Sequence, residues 1–223
     1  MVFLMLNTAE GAKLVARRRS RRGRNPAYVG IVAVVIALTV GVVTVVGQYE
    51  HGVQVADEAA ASSRAATLAK KKAFIAHLAP YARTLKVNYG VLPSITIAQA
   101  ILESNWGTSD LAAKYHNLFG VKATKAQAGQ EMTTQEYVNG KWKVVTARFR
   151  SYSDDYASMR DHAQLLAHGT TWNQRQYAQV IAARDYKTAA SALQSSGYAT
   201  DPGYAQKIIQ VVEKYDLDNY DAN

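Results

Sequence analysis

The chain has 223 residues, 48% of them hydrophobic, enough for one ordinary folded domain with further segments beside it. It contains no cysteine, which excludes disulfide staples, thiolate metal sites and a cysteine nucleophile. Of the net charge of +9, the first 30 residues hold +6, from seven Lys and Arg against Glu10, so the remainder carries only +3. The basic balance is therefore a local tail, and nucleic acid is not an expected partner.

Residues 1–28 contain the Arg17 to Arg24 cluster, and Val29 to Gly47 follows as nineteen uncharged, mostly apolar residues. At ~1.5 Å per residue that stretch matches the ~30 Å core of a bilayer, so 29–47 is predicted to be a transmembrane signal-anchor helix. Because Lys and Arg stay inside, the N-terminus is expected in the cytoplasm and the rest on the outer, cell-wall side of the cell membrane. Secretion after signal cleavage is the alternative, but the apolar run exceeds the usual ~7 to 15 residues of a signal core. Residues 48–72, rich in Ala, Ser and Lys, read as an extracytoplasmic linker, with the folded domain over 73–219.

Phe74, Ile75, Leu78, Tyr81, Ala82 and Leu85 recur at helical spacing, interrupted by Pro80, which is expected to kink or split the element. A second helix is predicted from Ser94 as N-cap through Ile95, Ile97, Ala98, Ile101 and Leu102 to a stop at Gly107. That places Glu103 in a last helical turn beside Trp106, where the helix dipole and the exclusion of water both favour a protonated carboxyl. A protonated carboxyl near neutral pH is what donating a proton to a leaving-group oxygen requires. The competing reading is a Glu fraying into solvent at a helix end.

A short helix from Asp110 to Lys114 leads to His116-Asn117-Leu118-Phe119-Gly120. The period then changes: Glu131 to Val138, Asn139-Gly140 and Lys141 to Phe149 read as a β-hairpin with a two-residue turn. This register sets Val138 opposite Lys141, Tyr137 opposite Trp142 and Glu136 opposite Lys143. Helices resume with Ser153 as N-cap and a close at Gly169, then over 174–183 and 186–196. A last helix is predicted with Asp201 as N-cap and Pro202 in its first position. The expected fold class is α+β, mainly helical, with one small β-lobe.

Four stretches in order closely resemble the endo-β-N-acetylglucosaminidases of glycoside hydrolase family 73. They are Ser94 to Gly107, Asn117 to Lys122, Phe149 to Tyr152, and Gly197-Tyr198-Ala199-Thr200-Asp201-Pro202 with Tyr204-Ala205. The resemblance covers about Phe74 to Tyr215. It implies a lysozyme-like fold, peptidoglycan glycan strands as substrate, no cofactor and no metal. It further implies hydrolysis of the β-1,4 bond between N-acetylglucosamine and N-acetylmuramic acid. By motif, Glu103 matches the family's catalytic acid, Glu136 a second carboxylate on the hairpin, and Tyr198 a tyrosine of the cleft. Trp106, Asn117, Phe119, Tyr137 and Tyr204 are the substrate-binding candidates.

Inverting hydrolases hold two carboxyls ~6.5 to 9.5 Å apart and retaining ones ~5 to 5.5 Å, while substrate-assisted enzymes use the sugar's own acetamido group. The sequence leaves this choice open. A lysozyme or lytic transglycosylase, which cuts the neighbouring bond, and a non-catalytic wall-binding module are the rival readings. Simpler roles compete residue by residue: Glu136 pairing with Lys143 across the hairpin, Trp106 and Phe119 in the core, Asn117 holding a turn. His116, His162 and His168 show no metal-ligand spacing and read as solvent-facing or structural. The oligomeric state is not readable.

Overall fold

The computed structural model describes the backbone of residues 26–138 and 141–222 and the side chains of 41–133 and 144–222. The chain divides into two units, Met1–Ser62 and Ser63–Asn223. In the first, the described backbone is helical, part of α1 (Pro26–Tyr89). Among the described residues no helix is long and apolar enough to cross a membrane. Most of the 29–47 span, residues 29–40, lies outside the described side chains.

The expected linker over 48–72 is helical throughout, and Pro80 neither splits nor ends α1. The reason is placement. Ile75, Leu78, Ala79, Ala82 and Leu85 form one buried stripe on both sides of Pro80, which is exposed. The carbonyl that Pro80 leaves without an N–H partner can therefore be served by solvent while the stripe stays packed.

The second unit is built around α2 (Pro93–Ser104), buried without a break from Pro93 to Ile101. It begins one residue before Ser94, and Ser94 does not cap it. Instead Asp221, from the far end of the chain, accepts the Ser94 N–H at 2.8 Å and the Ser94 hydroxyl at 2.6 Å. Lys86 Nζ donates to the Asp221 carbonyl at 2.7 Å, tying α1 to the same point. The helix also stops earlier than predicted, at Ser104, because Asn105, Trp106 and Gly107 all adopt the left-handed conformation, with φ of 49°, 62° and 73°. Ser104 Oγ accepts the Gly107 N–H at 2.7 Å and holds this turn. A side chain at Gly107 would stand 2.7 Å from the Phe74 ring.

After α3 (Asp110–Tyr115), strands β1 (Gly129–Val138) and β2 (Lys141–Arg150) pair antiparallel in the predicted register, Glu136 facing Lys143 and Val138 facing Lys141. The turn at 139–140 lies outside the described residues. Helix α4 (Asp155–His168) is capped by Asp154 rather than Ser153, Oδ1 accepting the Ala157 N–H at 2.8 Å. Next come α5 (Ala178–Ala182), shorter than expected, and α6 (Tyr186–Ser195), capped by Asp185. In α7 (Tyr204–Lys214) the cap is Gly203; Asp201 sits earlier and accepts the Gly203 N–H at 2.8 Å, shaping the approach to the helix. A 3₁₀ turn over Leu217–Tyr220 closes the fold. The core joins α1, α2, α4, α6 and α7 through Leu78, Ile95, Ile97, Met159, Leu166, Leu193 and Ile208.

Candidate active site

The last turn of α2 carries Glu103 to the edge of a depression of about 300 Å³ lined by Leu102, Ala199, Thr200, Asp201, Tyr204 and Lys207. Glu103 keeps an exposed face there, while its carboxyl is held from behind. The Tyr204 hydroxyl donates to Glu103 Oε1 at 2.8 Å. Burial raises the Glu103 pKa above the usual carboxylate range, and the Tyr204 bond and the Lys207 charge oppose it. Of the two causes the sequence suggested, exclusion of water is the one that acts here. Trp106 is no wall of this depression: it lies edge-on to Phe74 and Tyr215, at 6.2 and 4.8 Å, with Lys71 Nζ 4.8 Å from its ring centre. Trp106 lines instead an adjoining depression that shares Leu102 and Lys207 with the first.

Tyr198 comes to the same place from the loop after α6. Its ring stacks on Tyr204 at 5.7 Å and meets His162 and Tyr177 edge-on at 5.8 and 6.0 Å. Burial first, and the nearby Glu103 second, push its pKa well above 10, so it stays a hydroxyl donor across the working pH range. Tyr204 is only 5% exposed, and its hydroxyl is engaged with Glu103 and Gln99. It forms part of the wall of the depression and holds the Glu103 carboxyl from behind.

Two further candidates are likewise taken up by the fold. Asn117, 1% exposed, donates to the carbonyls of Val121 and Arg150, both at 2.9 Å, and accepts the Val121 N–H at 3.0 Å. Its side chain holds the 117–121 turn to the end of β2. Phe119 is buried and stacks on His162 with ring centres 3.9 Å apart. Arg150 pairs with Asp161 through both carboxylate oxygens at 2.7 Å, and the Tyr152 hydroxyl donates to the same carboxylate at 2.6 Å. The two middle motifs thus brace the strands against α4. The side chains of Glu136 and Tyr137 lie outside the described residues; their backbone is in β1.

A further depression of about 800 Å³, beside Leu68, Lys71, Lys72 and Tyr215, has Asp216 as its single carboxylate and lacks the arrangement around Glu103. Among the described residues no cluster of His, Asp and Glu could hold a metal ion.

Sequence reasoning assigned no role to Gln99 and left His162 undecided. Gln99 carried a signal: it is the one amide in a mostly apolar helix, one turn before Glu103. His162 gave none, since its burial depends on how α4 packs. It is fully buried, neither ring nitrogen has a partner among the described residues, and burial pushes its pKa down to about 3. In the unfolded chain a histidine titrates near ~6.5. As pH falls from 6.5 toward 3, the unfolded state takes up a proton that the folded state refuses, so stability is present above that window and lost through it. The loss approaches about 1.4 kcal/mol per pH unit. His162→Phe is expected to lose less stability than the wild type between pH 7 and pH 4.5 in urea titrations; equal losses would contradict a neutral buried ring.

Residues 79–217 match the glucosaminidase family, described as mannosyl-glycoprotein endo-beta-N-acetylglucosaminidase. The exo-glucosaminidase LytG of Bacillus subtilis is 56% identical over 152 residues, covering 68% of this chain and 54% of that protein. The peptidoglycan hydrolase FlgJ of Salmonella typhimurium is 40% identical over 159 residues, 69% of this chain and 49% of that one. The chain therefore spans about half the length of these curated relatives. The catalytic domain of the Listeria monocytogenes autolysin Auto shares the fold with a TM-score of 0.63 at 37% identity, covering 68% of this chain and 88% of that domain. A helical body with one small hairpin, an acid at the end of its central helix, and a family match over residues 79–217 lead to one assignment: the chain belongs to the glucosaminidase family, glycoside hydrolase family 73, with its lysozyme-like fold.

Proposed function

We propose that the domain hydrolyses the β-1,4 bond between N-acetylglucosamine and N-acetylmuramic acid in peptidoglycan, with Glu103 as general acid. The observation that carries this is the Glu103 carboxyl, held by Tyr204 at a depression and biased by burial toward its protonated form. Glu103 gives its proton to the glycosidic oxygen as the C1–O bond breaks; water then adds to C1 and surrenders a proton. Glu136 serves as base or as a stabiliser of the oxocarbenium charge, and Tyr198 orients the 2-acetamido group or the attacking water. The basic segment and the apolar run at 29–47 support a single membrane anchor with the domain on the wall side.

The relatives carry names for two bonds: LytG is an exo-glucosaminidase, and a Lactococcus lactis relative at 39% identity is a probable N-acetylmuramidase. Digestion of peptidoglycan, borohydride reduction and mass analysis of the new ends decides between them. Glucosaminitol is the expected product, and muramitol would move the cut to the other bond. The same digest reports the mode, since an endo enzyme shortens long strands before small fragments accumulate.

A further inference from the structure

Gln99 and Glu103 share one face of α2, a helical turn apart, and Tyr204 reaches in from α7 between them. Gln99 Nε2 donates to Tyr204 Oη at 3.0 Å, and Tyr204 Oη donates to Glu103 Oε1 at 2.8 Å. Gln99 has no exposed surface, and its Oε1 is buried with no partner among the described residues. An orphan buried carbonyl is costly, and a Met or Leu would fill this apolar helix without it. What the amide provides is direction. An amide nitrogen can only donate, so the Tyr204 oxygen must accept and its one hydrogen is left for Glu103. Oε1 is then an acceptor whether or not the acid is protonated, and the acid's proton is confined to Oε2.

We propose that Gln99 is a positioning residue: by fixing the sense of the Tyr204 hydroxyl, it keeps the transferable proton of Glu103 on Oε2, the oxygen available to the glycosidic bond. This rests on the reading of Glu103 as the acid. The arrangement is a one-way chain of donors, each bond polarising the next. It also tunes the acid, because a donor aimed at Oε1 favours the carboxylate and restrains the rise in pKa that burial causes. The other groups that face Glu103 are Lys207, itself paired with Asp201 at 2.6 Å, and Tyr198; none of them changes in the variants below.

The test is the alkaline limb of kcat/KM against pH in the full chain, which falls as Glu103 loses its proton. It is paired with a ¹³C titration of the Glu103 carboxyl, assigned by its disappearance in Glu103→Gln. Tyr204→Phe removes the donor and should move both upward by about one pH unit, with kcat reduced and KM little changed. Gln99→Met should move them the same way by less. Gln99→Glu should move them furthest, because a carboxylate at 99 takes the Tyr204 hydrogen for itself and adds a like charge. A role in packing alone would lower the melting temperature and leave both titrations in place. Unmoved titrations in Tyr204→Phe and Gln99→Met would overturn the proposal, and so would a downward shift in Tyr204→Phe, which would mean that the hydroxyl accepts from Glu103. Tyr204→Phe and Gln99→Met keep shape and volume, so they carry the test even where Gln99→Glu does not fold. Activity surviving in Glu103→Gln would strike the reading of the acid itself, separately from the chain behind it.

Discussion

Replacing Glu103 with Gln is expected to lower the hydrolysis of cell walls by roughly 10²- to 10⁴-fold, the usual contribution of a positioned general acid. The fold should survive, since the amide oxygen can still accept the Tyr204 hydroxyl at the Oε1 position and the volume is unchanged. Turbidity clearance and release of reducing ends measure the loss, and circular dichroism confirms that the helices remain. Residual activity above a few per cent would remove Glu103 from the chemistry. In the same assay Glu136→Gln separates the mechanisms. An obligatory base would cost nearly as much as the acid, whereas a substrate-assisted reaction, in which the acetamido group attacks C1, would lose much less.

The second large effect is on stability, at Gly169. This residue closes α4 with φ 72° and ψ −159°, a region open essentially to glycine alone. An added Cβ would stand 2.3 Å from the Asn173 carbonyl oxygen and 2.6 Å from the Gln174 carbonyl carbon, both backbone and unable to step aside. Gly169→Ala should therefore cost about 3 kcal/mol, combining conformational strain with overpacking. That corresponds to a melting point lower by roughly 6 to 12 °C in a domain of this size. Thermal denaturation checks it, and a loss below about 1 kcal/mol would mean that the loop relocates freely. Activity should fall too. The loop that Gly169 starts includes Gln176, whose Nε2 donates to the Ser196 carbonyl at 2.9 Å, and it leads into Tyr177, against which Tyr198 packs.

The sequence made legible whatever local chemistry decides. Asn139-Gly140 set the hairpin register to the residue, apolar positions at helical spacing placed α2, and start and stop signals placed α4 to within two residues. Glu103 was recognisable because a carboxylate at the end of an apolar helix is unusual. Long-range contacts explain the rest. Ser94 looked like a cap, but the actual acceptor, Asp221, lies 127 positions away. Pro80 looked like a break until the stripe beneath it proved to face the core on both sides. Asn117 and Phe119 sit in motifs that point to substrate, and their side chains turn inward instead. A motif marks residues that the site needs without distinguishing those that meet the sugar from those that hold the ones that do.

The Asp221 clasp also has a consequence in time. The helix that bears the acid is anchored at its start by a residue 127 positions further along the sequence, and the loop closed by that contact spans most of the domain. Such a closure carries a large entropic cost and comes late in folding. Until Asp221 reaches α2, Glu103 sits on a helix whose first turn is unclasped, so its carboxyl gains a fixed platform only when the domain is nearly folded.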